Sequence, residues 1–195
     1  MQQKDKDYII RLFPAIKKIS DRRIRDKVVR TWYNAWKRSN FPRIEDLHQF
    51  ELARDCIEYS NRDHTNQVCR AAEKMGAMLA DSSGLEVRMD YLLAGAVLHD
   101  VDKIVIFDAK TGGLTDTGRR FAHAVMGAAM ALMEGLPEEV AHIIGAHSTK
   151  FSPVPPASIE AIILRHADQV VAQAVYLAKG LDMDLVLRQS LARIT

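Results

Sequence analysis

Apolar residues return along this chain at the three- and four-residue spacing of amphipathic helices, and alternating strand-like runs are scarce. Ile9, Ile10, Phe13, Ile16 and Ile19 form the first such series. Ser20 then reads as the N-cap of a second helix, which presents Ile24, Val28, Trp32 and Trp36 on one stripe and stops at Asn40-Phe41-Pro42. The pattern predicts a third helix over Ile44 to Glu58. A fourth begins near Asp63, with His64, Val68, Ala71, Ala72, Met75 and Leu79 on its inner face. After the turn Asp81-Ser82-Ser83-Gly84, the stretch from Met89 to Lys103 is nearly free of charge until its final turn, as a buried helix would be. Gly112, Gly113 and Gly118 mark Phe107 to Gly118 as a mobile loop, followed by a small-residue helix from Phe121 to Glu134. Pro137 opens a helix running to His147, and beyond the Pro-rich stretch Ser152 to Pro156 a long helix covers Ser158 to Lys179. There is no internal repeat and no low-complexity tract.

The expected fold class is therefore all-α. With 195 residues, 48% of them apolar, the chain suits one domain with a sizeable core and an extension. Its two cysteines, Cys56 and Cys69, are too few for a disulfide framework or a thiolate zinc site, which points to a reducing compartment. Residues Met1 to Asp7 carry alternating charges instead of a leader pattern, and no apolar run approaches the roughly 20 residues of a membrane span. The expectation is a cytoplasmic protein with no membrane partner. Net charge changes the picture further. Residues 1–43 hold thirteen Lys or Arg against four Asp, a net +9, so the rest of the chain carries −7 of the total +2. Either the basic front helices dock on the acidic remainder, or they serve a polyanion such as nucleic acid.

Candidate chemistry centres on His99 and Asp100, at the end of the apolar run Leu92-Leu93-Ala94-Gly95-Ala96-Val97-Leu98. His64, His123, His147 and Asp168 fall at helix-sized intervals around them. Each alone is a weak signal, since a lone histidine on a helix is commonly a core or surface residue. Together they place four imidazoles on successive helices, with two carboxylates that would be costly to bury unpaired. Asp168 lies among Ile162, Ile163, Val170, Val171 and Val175, and no lysine or arginine on its own face supplies the cation it needs. His48, His142 and His166 are read as non-ligands, with His166 close enough in sequence to support Asp168.

This order of residues resembles the HD-domain metal-dependent phosphohydrolase superfamily. The matching stretches are Asp63-His64-Thr65-Asn66-Gln67-Val68, Leu98-His99-Asp100-Val101-Asp102-Lys103, Phe121-Ala122-His123-Ala124-Val125-Met126-Gly127-Ala128, Gly145-Ala146-His147-Ser148 and Leu164-Arg165-His166-Ala167-Asp168. They span a little over half the chain. The resemblance implies an all-α HD-domain helical bundle, expected over residues 46–195; the basic front of the chain lies outside the resemblance, and residues 1–45 are expected to form a basic helical N-terminal extension. It implies His64, His99, Asp100 and Asp168 as ligands of a first metal. In two-metal members the residues matching His123 and His147 bind the second, and the carboxylate matching Asp100 bridges both. A lysine shortly after the His-Asp pair is common in the family, and Lys103 matches it.

Imidazole and carboxylate donors suit two divalent transition metal ions, Fe or Mn first, with Co, Ni and Zn allowed. Two adjacent cations bring the pKa of a shared water toward neutrality, which produces a hydroxide for attack on phosphorus. Asp100 and Lys103 are the expected catalytic residues. Lys103, Arg119, Arg120 and Lys150 are the candidates for holding phosphate oxygens, although Lys103 at a helix end is also favourable as a simple dipole partner. The expected activity is hydrolysis of a phosphate ester or anhydride of a nucleotide or similar small molecule. Two other classes stay open: a di-iron oxygenase that cleaves a carbon bond with dioxygen, and a non-catalytic protein that binds nucleic acid or a partner. The sequence also leaves a homo-oligomer open.

Overall fold

Pro14 divides the first apolar series, because its ring removes a backbone donor and clashes with a continuing helix. A computed structural model describes residues 1–51, 54–55, 58–148 and 154–180. In it α1 spans Gln3–Leu12, and a 3-10 turn, Pro14–Lys18, carries the chain to α2, Arg22–Arg38. The cap of α2 is Asp21, whose carboxylate accepts from the backbone of Arg23 and Ile24. Ser20, expected in that role, instead donates its backbone and hydroxyl to Asp90 at 2.7 and 2.6 Å.

The helix expected over Ile44 to Glu58 is not formed among the described residues. A 3-10 turn, Ile44–Asp46, forms instead, and the chain then extends to an isolated bridge between His48 and Ser60. The extended path has a cause in packing: it seals Leu47 in the core and lets Gln49 reach the centre of the molecule. Helix α3, Asn61–Ser83, is capped by the Ser60 hydroxyl and ends at Gly84, whose φ of 62° is the left-handed stop that glycine tolerates. The predicted turn at 81–84 is thus largely the last turn of this helix.

Helix α4, Met89–Leu98, has every residue from Leu92 to Leu98 buried, and it packs against α2, α3 and two later helices. It ends sooner than the sequence predicted. Residues 99–102 form tight turns, with Val101 bonding Leu98 and Lys103 bonding Asp100 three residues back, before the short α5, Lys103–Ile106. The loop expected to be mobile is pinned. Phe107 bridges Leu114, Asp108 accepts from Lys110, Thr111 and Asn40, and a short α6 covers Asp116–Arg120. Helix α7 is Val125–Met133, α8 is Glu138–Gly145 and α9 is Ile159–Ala178, the last capped by the Ser158 hydroxyl. Gly95 permits the close approach of α4 to α8, since a Cβ there would sit 2.4 Å from Ile143 Cγ2.

The basic front helices pack onto the rest of the chain in one continuous core. Trp32 is fully buried, stacks on Phe13 with ring centroids 4.6 Å apart, and donates its indole N–H to the Val97 carbonyl of α4 at 3.0 Å. Lys18 pairs with Glu73, and Arg30 with Glu134, each at 2.6 Å. The charge asymmetry of the sequence is thereby partly spent within the molecule. Exposed ion pairs of this kind contribute little individually; the buried apolar seam carries the docking. Among the described residues there is no strand, and no helix is long and apolar enough to cross a membrane.

Candidate metal centre

The capping of α3 by Ser60 puts Asn61, His64, Thr65 and Val68 on one inward face, and α9 packs across it bearing Asp168. The early end of α4 turns His99 and Asp100 into the same space, and His147 enters it from the turn just beyond α8, which ends at Gly145, two residues sooner than the sequence predicted. His123 arrives differently from expectation. It precedes α7 instead of lying within it, followed by Ala124 at φ 70° and ψ −42°, the one non-glycine with positive φ among the described residues. That backbone, which costs an L-residue about 1–3 kcal/mol, breaks the helix and swings the His123 ring inward.

All six predicted ligands converge. His64 Nε2 lies 2.9 Å from Asp168 Oδ1 and 3.2 Å from His99 Nε2. His99 Nε2 is 3.4 Å from Asp100 Oδ2 and 3.9 Å from Asp168 Oδ1. On the other side, His123 Nε2 lies 3.1 Å from Asp100 Oδ1 and 3.2 Å from His147 Nε2. Asp100 therefore turns one oxygen toward each histidine pair. Two sets of donor atoms suited to an ion result: His64, His99 and Asp100, and Asp100, His123 and His147.

The outer nitrogens fix the tautomers. His99 Nδ1 faces the Ala96 carbonyl at 2.8 Å and His147 Nδ1 faces the Ile144 carbonyl at 2.7 Å; a carbonyl only accepts, so each Nδ1 carries the proton. His123 Nδ1 faces both oxygens of Asp102, at 3.0 and 3.1 Å. Tyr59 donates to Gln67 at 2.7 Å, which leaves its oxygen to accept from His64 Nδ1 at 3.3 Å. In its neutral form each ring, protonated at Nδ1, therefore presents the Nε2 lone pair to the centre. Lone pairs facing each other at 3.2 Å are satisfied only when positive charge, a proton or a metal ion, lies between the rings. The donor set fits divalent transition metals, and the outer hydrogen bonds are those that orient metal-bound histidines.

Electrostatics follow the same geometry. Burial disfavours charge on His123, but Asp102 and Asp100 overcome it and push its pKa up to about 9. Burial, with His123 and His99 nearby, pushes His147 down to about 4. Asp100 is held well below the usual carboxylate range despite its burial, by Lys103, His99 and His123. Asp168 is likewise held low against burial, by His64, His99 and His147.

Lys103, expected at the substrate, is 8% exposed and directs its ammonium to Asp100 Oδ2 at 2.8 Å and the Gln49 carbonyl at 3.0 Å. Arg119 is exposed and bonds the Leu114 carbonyl at 2.7 Å, and Arg120 is exposed as well. Lys150 lies outside the described residues. His166 is exposed, and the partner of Asp168 is His64 instead. His142 accepts from the Ala157 backbone at 2.9 Å.

Sequence reasoning missed several residues here. Gln49 and Asn61 donate to Asp100 Oδ2 at 3.0 and 3.1 Å, and Asn61 also bonds Gln49 at 2.9 Å. Asn61 carried a signal, lying three residues before His64 on the same helical face. Asp102 carried one too, as a second acidic residue closing an otherwise apolar helix. Gln49 carried none, because its segment reads as helix.

Comparison with known proteins agrees with this geometry. Residues 62–173 match the HD domain family. The chain is also 32% identical over 190 residues to the dihydroneopterin 2',3'-cyclic phosphate phosphodiesterase of Methanocaldococcus jannaschii, an alignment covering 90% of this chain and 76% of that protein. No solved structure matches. The chain belongs to the HD-domain family of metal-dependent phosphohydrolases.

Proposed function

We propose that the centre holds two divalent transition metal ions, Fe or Mn, and hydrolyses a phosphodiester or related phosphate ester of a small nucleotide-like molecule. His64, His99, Asp168 and Asp100 would hold one ion; His123, His147 and the other oxygen of Asp100 would hold the second. The observation that carries this reading is the division of the Asp100 carboxylate, with Oδ1 3.1 Å from His123 and Oδ2 3.4 Å from His99. Bound there, such ions supply Lewis acidity toward phosphoryl oxygens and acidify water.

The protein's own groups set the stage for that chemistry. Asp100 is fixed by three donors on Oδ2, from Lys103, Gln49 and Asn61, so Oδ1 keeps its direction toward His123 and His147. Lys103 offsets negative charge that would otherwise accumulate among buried carboxylates. Asp102 holds the His123 ring. Arg119, Arg120 and Lys150 remain our candidates for contact with phosphate oxygens as substrate enters. Residues 1–45 we assign to an extension that braces α4, and residues 46–195 to the HD-type domain.

The substrate class is supported by the cyclic phosphate phosphodiesterase among the relatives. The test is a panel of cyclic and linear phosphodiesters, monoesters and anhydrides, offered to Mn- or Fe-loaded protein with and without oxygen. Release of a phosphomonoester from a diester, equally fast in both atmospheres, is expected. Turnover only with oxygen would replace this reading with the oxygenase.

A further inference from the structure

Resting on the reading above, we propose that Tyr176 is a catalytic residue outside the six-ligand set, its hydroxyl donating a hydrogen bond to a phosphoryl oxygen of the bound ester.

Tyr176 lies eight residues beyond Asp168 on α9, two turns along the same face, which at 1.5 Å per residue is roughly 12 Å of helix axis. Long side chains on a helix lean toward its N-terminus and cover the preceding turn. The phenol therefore reaches back from α9 toward Asp168 and the centre. Its ring packs with Tyr59, beside Ala172 and Val175, in a small cluster apart from the main core.

Two observations separate Tyr176 from an ordinary core tyrosine. The residue is 2% exposed, yet its hydroxyl makes no hydrogen bond among the described residues. A buried tyrosine hydroxyl normally finds a partner, since leaving it without one is costly. Nor is this oxygen among the sealed, unpartnered buried atoms, which are His48 Nδ1, Glu51 Oε2, Asn61 Oδ1 and Thr65 Oγ1. It therefore keeps a small opening to a neighbouring space. The charged groups that act on it identify that space, being Asp100 and Asp168 of the metal centre, with Tyr59 beside them. Burial and these neighbours together push its pKa up, so the phenol remains a donor at physiological pH.

Tyr59 is the natural contrast. Its hydroxyl is already committed, donating to Gln67 at 2.7 Å and accepting from His64 at 3.3 Å. One tyrosine of the pair orients a ligand histidine; the other has a donor to give. An anionic phosphoryl oxygen above the centre is the acceptor such a donor would meet.

The test is Tyr176→Phe, which keeps the ring against Tyr59 and removes only the hydroxyl. In calorimetry on Mn-loaded protein, inorganic phosphate should bind about tenfold to a hundredfold more weakly to the variant, the range for a hydrogen bond to a charged group. Metal content and Tm should match the wild type, because the lost hydroxyl bonds nothing among the described residues. Tyr59→Phe should instead lower affinity for Mn²⁺. Unchanged phosphate binding in Tyr176→Phe, or weaker binding that tracks loss of metal, would overturn the proposal. Wild-type protein that binds phosphate but cleaves no ester would sink the proposed function while this contact stands. Wild-type protein that binds no phosphate overturns both.

Discussion

Replacing Asp102 by Asn changes one oxygen to nitrogen at a fully buried carboxylate whose two oxygens lie 3.0 and 3.1 Å from His123 Nδ1. The amide oxygen can still accept, so the ring stays near its place. What vanishes is the negative charge that strengthens this hydrogen bond and raises the basicity of the inner nitrogen. A charge-assisted bond contributes about 1.5–3 kcal/mol against about 0.5–1.5 for a neutral one, a difference of about 1–2 kcal/mol. That corresponds to about tenfold in affinity, at the low end of the 10–100-fold expected for partners of metal-bound histidines. The whole loss should fall on the position formed by His123, His147 and Asp100. Calorimetric titration of chelator-stripped protein with Mn²⁺ should show two binding steps in the wild type. In Asp102→Asn one step weakens about tenfold and the other does not move. Equal weakening of both steps, or no change in either, would refute the reasoning.

Other consequences can be checked separately. Trp32→Ala removes a fully buried ring and orphans the Val97 carbonyl, so urea denaturation should report a loss of about 3–5 kcal/mol. Lys103→Met takes a cation from Asp100 Oδ2, so Mn²⁺ affinity should rise or hold while kcat falls; loss of metal would mean that the ammonium supports the site by packing. Burial alone would raise the Asp90 pKa, but donors from Ser20 and Asp21 hold it below its ordinary 3.8. A lowered carboxylate pKa contributes stability that is present above the unfolded value and lost as pH falls through the folded one. Asp90→Asn should therefore destabilise the protein at pH 6, and the difference from wild type should shrink below pH ~4.

Much of this architecture was legible in the chain, and the reasons differ by element. Helices α2, α3 and α9 announced themselves because each carries a strong apolar stripe at helical spacing. The six converging side chains were legible because a carboxylate set among apolar residues demands a positive partner, and histidines at helical intervals around it are donors able to hold a metal ion in that role. The segment around Gln49 misled, since Ile44, Leu47 and Phe50 sit at helical spacing. A long-range demand, the contact of Gln49 with Asp100, decided its extended path. Local periodicity also ran α7 back through His123, because nothing in Ala122-His123-Ala124 signals a break. Only the convergence on Asp100 and Asp102 requires the Ala124 backbone to turn left-handed there. Tyr176 belongs to the same class, being a residue whose role arises from what lies opposite it in space.

The most direct measurement of the central claim is metal content. Wild-type protein loaded with Mn²⁺ and desalted should carry two ions per chain by elemental analysis, and Asp100→Ala should carry none or one with phosphodiesterase activity abolished. Two ions retained with full activity in Asp100→Ala, or none bound by the wild type, would contradict the account.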